Sequence, residues 1–294
     1  MMDTQLPDPT LLSPRILCLH GGGTNAQIFR LQCRVLSQHL SPSFRLCYVQ
    51  APFPSPGHPD ILAVYGNYGP FRSWFPGTLP DHMRQDDGAK RKGEWAREVD
   101  EDSDSDSVEE EDVYSDATVA LRIQEALHGA MKEDDAKGAT GEWVGLMGFS
   151  QGARVCASLL HLQQRKQQPH HYHAHDILER FWPVFRFGVL IAGRGPLVSL
   201  APHQDIPRGL VGAAAAMTEL GLQYSVAVGD RKLVQVPTIH LHGLLDPGLE
   251  HHRRFVVECF DARSVVVRDW KGGHRVPIRT EDVSMLVREI TALN

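Results

Sequence analysis

No stretch of this sequence approaches the roughly 20 consecutive apolar residues that a bilayer-spanning helix needs, so no membrane partner is expected. The opening segment, MMDTQLPDPTLLSPR, has neither the basic nor the apolar region of a secretory leader. A basic excess is missing too. The formal net charge of -6 argues against a nucleic-acid binder, which presents a basic face. Cysteine is scarce. The five present are an odd, scattered set without a C-x-x-C pair, which excludes a disulfide framework and favours buried thiols in a reducing compartment. These absences together predict a soluble, cytoplasmic protein.

What the chain does have is core-forming material. Hydrophobic residues make up 42% of its 294 positions, enough for one large domain spanning 1–294. The net negative charge is local to a run at 98–112 that is almost wholly Asp, Glu and Ser. Such a run has nothing to bury and reads as a solvated insertion. No internal repeat is present. The segment His170-His171-Tyr172-His173-Ala174-His175 has no partner Cys or carboxylate cluster and reads as a polar surface loop, with no metal expected. His251-His252 is read in the same way.

Short apolar runs alternate with helical periodicity along the rest. Arg15–Leu19, 44–49, 143–147, 187–192, 237–241 and 264–267 read as strands. Helical spacing covers Ile28 to Leu40 (with Thr24 or Asn25 as cap), 117–131, 153–164, 249–260 and 281–293. That alternation predicts a mostly parallel sheet flanked by helices. Two stretches interrupt it, 58–95 and 196–232, and are expected to lie as lid-like insertions over the site.

The pentapeptide Gly148-Phe149-Ser150-Gln151-Gly152 follows a strand and opens a helix. G-x-S-x-G in that setting is a sharp turn that exposes its serine as a nucleophile, the signature of the α/β-hydrolase fold. A hydroxyl needs a base to attack, and this fold places acid and base after the serine in that order. His274, after Gly272-Gly273 and a strand, is the candidate base. Asp246, just past the strand containing His240, is the candidate acid; Asp230 and Asp269 are weaker rivals. Acyl transfer also calls for backbone N–H donors to a developing oxyanion. Gln151 supplies one, and the loop His20-Gly21-Gly22-Gly23 the other, with Gly22 preferred and Gly23 next.

These blocks, with Ala51-Pro52-Phe53-Pro54 and His242-Gly243-x-x-Asp246, resemble the fungal serine hydrolase family over nearly the whole chain. The segment Tyr65 to Phe75 is most similar to members encoded beside fungal polyketide synthases, in lovastatin, citrinin and azaphilone pathways. The resemblance implies cleavage of an acyl thioester or ester, with a synthase acyl-carrier domain as a partner and no cofactor. It leaves open a stand-alone carboxylesterase acting on small or medium-chain esters. Tyr68, Phe71 and Trp74 are the expected pocket residues, with ordinary packing of an insertion as the alternative.

Overall fold

A computed structural model describes residues 8–77, 114–166, 182–202, 205–218 and 233–293. The acidic run, the histidine-rich segment, Asp230 and parts of both expected insertions lie outside the described residues.

The elements follow in the order β1 (Arg15–Leu19), α1 (Ala26–Gln32), α2 (Arg34–Leu40), β2 (Arg45–Val49), β3 (Phe53–Pro54), α3 (Pro59–Tyr65) and β4 (Arg72–Ser73). Then come α4 (Asp116–Ala136), β5 (Trp143–Phe149), α5 (Gln151–Lys166), β6 (Phe187–Ile191), β7 (Thr238–Gly243), α6 (Leu249–Cys259), β8 (Val265–Trp270) and α7 (Thr280–Thr291). Six strands form one sheet in the order β2-β1-β5-β6-β7-β8, and every pairing within it is parallel. This is the α/β-hydrolase arrangement. Strands buried on both faces read as continuous apolar runs, and β1, β6 and β7 are buried at every position. Along β1 the pleat sends Leu17 and Leu19 to one core and Ile16 and Cys18 to the other.

Helix boundaries follow local chemistry. Asn25 caps α1 by accepting a hydrogen bond from the Ile28 N–H at 2.9 Å, and Ser115 caps α4 through the Thr118 N–H at 3.1 Å. The helix expected from Ile28 to Leu40 breaks at Cys33, which stands between α1 and α2 at φ -85° and ψ 7°.

Of the expected insertions, residues 58–75 are stitched to the glycine loop after β1. His58 donates its N–H to Gly23 O at 3.0 Å, Gly23 donates to Arg72 O at 3.0 Å, and Arg72 donates to Thr24 O at 2.6 Å. The sheet order reverses direction between β1 and β5, and clefts in open parallel sheets form at that switch point, beyond the carboxyl ends of the strands. The loops after β1, β5, β7 and β8 all open there.

Candidate active site

Ser150 follows the last residue of β5 and precedes the first of α5, with φ at +52°. That left-handed conformation is costly for a residue with a side chain and persists only where the surroundings enforce it. They do. The Ser150 N–H is held by Ile191 O at 2.8 Å. Both flanking glycines are sterically required: a Cβ on Gly148 would come 2.5 Å from Ala153 N, and one on Gly152 would come 2.2 Å from Leu19 O. The start of α5 thus crosses the end of β1 at a distance only glycine permits.

His274 and Asp246 arrive from the other strand ends. His274 Nε2 is 3.0 Å from Ser150 Oγ, and its Nδ1 lies 2.7 Å from Asp246 Oδ2. A donor on Nδ1 leaves the Nε2 lone pair facing the serine hydroxyl, the arrangement a general base needs. The second Asp246 oxygen accepts the Gly248 N–H at 2.8 Å. Burial pushes the Asp246 carboxyl upward, but the contacts with His252 and His274 and the Gly248 N–H outweigh it, holding it well below the ordinary carboxylate range. Asp269 lies within β8 and faces His242 and Arg253 instead, at 3.7 and 3.6 Å.

The glycine loop is braced by His20. Its Nδ1–H donates to Gly21 O at 2.7 Å, and Nε2 accepts the Ala51 N–H at 3.1 Å. Burial lowers this imidazole to about 4, so it stays neutral with one nitrogen donating and one accepting. Because the Gly23 N–H is bonded to Arg72 O, Gly23 is not an oxyanion donor in this conformation, contrary to expectation. Gly22 and Gln151 remain. As the first residue of α5, Gln151 has an N–H without an intrahelical acceptor. Its side chain braces two segments: Oε1 accepts the Trp74 N–H at 2.6 Å and the Ser73 hydroxyl at 3.1 Å, and Nε2 donates to Met217 Sδ at 3.3 Å.

The three expected pocket aromatics behave differently. Trp74 is fully buried, with its indole N–H donated to His20 O at 2.8 Å. It anchors the glycine loop and does not line a pocket, a correction that follows from its buried donor finding a backbone acceptor. Phe71 packs with Leu62 against Gly57. Tyr68 is 39% exposed, and its carbonyl accepts a hydrogen bond from Asn25 Nδ2 at 2.6 Å.

Two further histidines belong to the site. His58 sits close enough to His274 and Arg194 for both charges to act on it; burial is the main cause lowering its imidazole. His252, read as surface from sequence, is completely buried, with Nε2 3.0 Å from Asp246 Oδ2. Its ring is stacked on that of His274 with centroids 5.8 Å apart. The reason is helical spacing: His252, Phe255 and Cys259 form the buried face of α6, while His251 points to solvent. The donor atoms of Asp246, His252 and His274 lie within 4.8 Å of one another, and the Asp246–His274 hydrogen bond gives the grouping a role that calls for no ion. No described helix is long and apolar enough to cross a membrane.

Comparison with known proteins agrees with this geometry. The chain is similar to "Esterase pigG" of Monascus ruber at 43% identity, covering 96% of this chain and 92% of that protein. It is similar to "Esterase tropF" of Talaromyces stipitatus at 43% identity, covering 97% and 83%. "Esterase citA" of Monascus ruber is 38% identical, covering 100% and 97%. Residues 11–286 match the family described as "Serine hydrolase (FSH1)". The chain is a serine hydrolase and belongs to the FSH1 family.

Proposed function

We propose that the protein hydrolyses an acyl thioester or ester by two-step transfer through Ser150, with the acyl chain a polyketide carried on a synthase domain. The observation that carries the catalytic part is the unbroken line Ser150 Oγ–His274–Asp246, at 3.0 and 2.7 Å.

In the first step the Ser150 hydroxyl gives its proton to His274 Nε2 as Oγ bonds to the substrate carbonyl carbon. Charge on the carbonyl oxygen is met by the Gln151 and Gly22 N–H groups. The His274 imidazolium, stabilised by Asp246, returns the proton to the leaving sulfur or oxygen as the carbon–heteroatom bond breaks. A water then loses a proton to His274 and attacks the acyl-enzyme, and Ser150 leaves with that proton. Tyr68 and Phe71 belong to the segment that would receive the acyl chain.

The polyketide assignment is supported by the resemblance of Tyr65–Phe75 to members encoded beside polyketide synthases. The relatives' names say only esterase, which favours stand-alone ester hydrolysis as the second reading. Paired substrates separate the two. A carrier-bound acyl thioester should turn over much faster than the matched oxygen ester; equal or reversed preference would remove the carrier-domain reading. Ser150→Ala should abolish fluorophosphonate labelling, and persistent labelling would remove Ser150 as nucleophile.

A further inference from the structure

Behind the Asp246 carboxylate stands an imidazole that the proposed mechanism does not use. His252 is wholly buried. Its Nδ1 lies 3.0 Å from Gly193 O, and its Nε2 lies 3.0 Å from Asp246 Oδ2. A carbonyl oxygen and an ionised carboxylate can only accept. A neutral imidazole has one N–H, so either tautomer would leave a ring lone pair against an acceptor in a space closed to water. Both contacts become attractive only when both nitrogens carry protons. The Nε2 contact is close without hydrogen-bond alignment, since Nε2 is left without a bonded partner, so its attraction is chiefly that of an ion pair.

We infer that His252 is a positioning residue, a doubly protonated imidazole that faces the same Asp246 oxygen as His274 and keeps that carboxylate ionised and aimed at His274. This rests on the triad proposed above. The groups facing it are consistent with a single cation at this point. Asp246 and His274 face it from the loops after β7 and β8. His242, on β7, has its ring centroid 6.0 Å away; burial, then the charge of His252, lowers it to about 4, so it adds no charge. Asp269 and Arg253 lie beyond His242 as a pair of their own. Arg194, in the loop after β6, is near enough for the Asp246 charge to act on it.

The consequence for the reaction is electrostatic. A cation on His252, whose ring is 5.8 Å from that of His274, opposes formation of the His274 imidazolium and extends the neutral, active form of the base to lower pH. Removing that cation while keeping a polar side chain should therefore move the acid limb of kcat/KM to higher pH.

The test is His252→Gln, followed as kcat/KM for a p-nitrophenyl ester across pH. The limb should rise by about one to two pH units, and the plateau should fall about tenfold. A lower plateau with an unmoved limb would mean that His252 only packs, and would overturn the inference; an unchanged profile would overturn it equally. Should that variant not fold, the wild-type protein answers directly. In histidine-selective 15N spectra at mildly alkaline pH, the His252 ring, identified by Overhauser contacts to His274, should show two protonated nitrogens. One protonated nitrogen would refute the proposal. Fluorophosphonate labelling that persists in Ser150→Ala would instead condemn the triad reading, whichever way the His252 measurements fall.

Discussion

Replacing Asp246 by Asn preserves its shape and removes its charge, and the structure lets the cost be worked through atom by atom. Both carboxylate oxygens are committed. One accepts the Gly248 N–H at 2.8 Å, and the other faces His274 Nδ1 at 2.7 Å and His252 Nε2 at 3.0 Å. An amide offers one acceptor and one NH2. If its oxygen keeps the Gly248 bond, the NH2 points at His274 Nδ1 and selects the tautomer with the proton on Nε2, which cannot take the Ser150 proton. If the amide is flipped, the tautomer survives but two donors oppose each other at Gly248, at a cost of about 1–3 kcal/mol. In the first orientation the NH2 also opposes the protonated His252 Nε2, so each orientation sets two donors against each other, and in both the imidazolium loses its counter-charge. The analogous change in another serine hydrolase costs about 10⁴ in kcat. A fall in kcat/KM of roughly 10³–10⁴, about 4–5.5 kcal/mol of transition-state stabilisation, is expected here. The assay is steady-state hydrolysis of a p-nitrophenyl ester alongside fluorophosphonate labelling rates. Turnover within about tenfold of wild type would refute the role of the counter-charge and the choice of Asp246 as acid.

Other outcomes follow from the packing. Gly152→Ala drives a Cβ to within 2.2 Å of Leu19 O, so it should lower the urea midpoint sharply or prevent folding; a wild-type midpoint would show that α5 can shift off β1. Asp134, 6% exposed and held by Arg45 at 2.8 Å and Arg15 at 3.4 Å, should cost about 3–5 kcal/mol as Asp134→Ala, because two cations then lose their buried partner; urea unfolding measures this. Burial lowers His20 to about 4 and His240 to about 3, and burial together with the His252 charge lowers His242 to about 4, against about 6.5 when unfolded. Their neutral forms thus stabilise the fold fully above about pH 6.5, and that stability drains away as pH falls toward about 4, each proton being worth about 1.4 kcal/mol per pH unit. Urea titrations between those limits should show unfolding coupled to uptake of about three protons, and a flat profile would refute it.

Much of the fold was legible because a parallel sheet buried on both faces writes itself as apolar runs separated by helical periodicity. All six sheet strands were placed within a few residues. The misses are of one kind, elements too short or too local to set a period. The break at Cys33 leaves Phe29, Leu36 and Leu40 buried in one core, so the apolar spacing runs through it undisturbed. In 51–75 the strands β3 and β4 are two residues each, and they pair across a stretch dense in Gly and Pro. Only α3 carried a readable signal, Pro59 in the first turn behind the cap His58.

The site was legible where chemistry dictates a motif and illegible where it is assembled from a distance. Ser150, Asp246 and His274 could be named because the fold fixes their order and their places after strands. Choosing between Gly22 and Gly23 needed the Arg72 carbonyl, about fifty residues away, to show which N–H was already taken. Trp74 has the composition of a pocket residue, and only the His20 carbonyl accepting its indole N–H reveals it as an anchor. His252 is the instructive case, because its signal was present and outweighed. The doublet His251-His252 looks like a polar surface pair, yet the spacing 252, 255, 259 already assigns its second member to the apolar face of α6. A polar residue on such a face must find a partner, since burying it unpaired costs about 1–3 kcal/mol. Gly193 O meets the Nδ1 of His252 and the Asp246 carboxylate faces its Nε2, each at 3.0 Å. Periodicity therefore locates buried polar residues as surely as apolar ones, and a histidine found that way, beside the carboxylate proposed as the acid of the triad, enters the charge balance of the proposed mechanism.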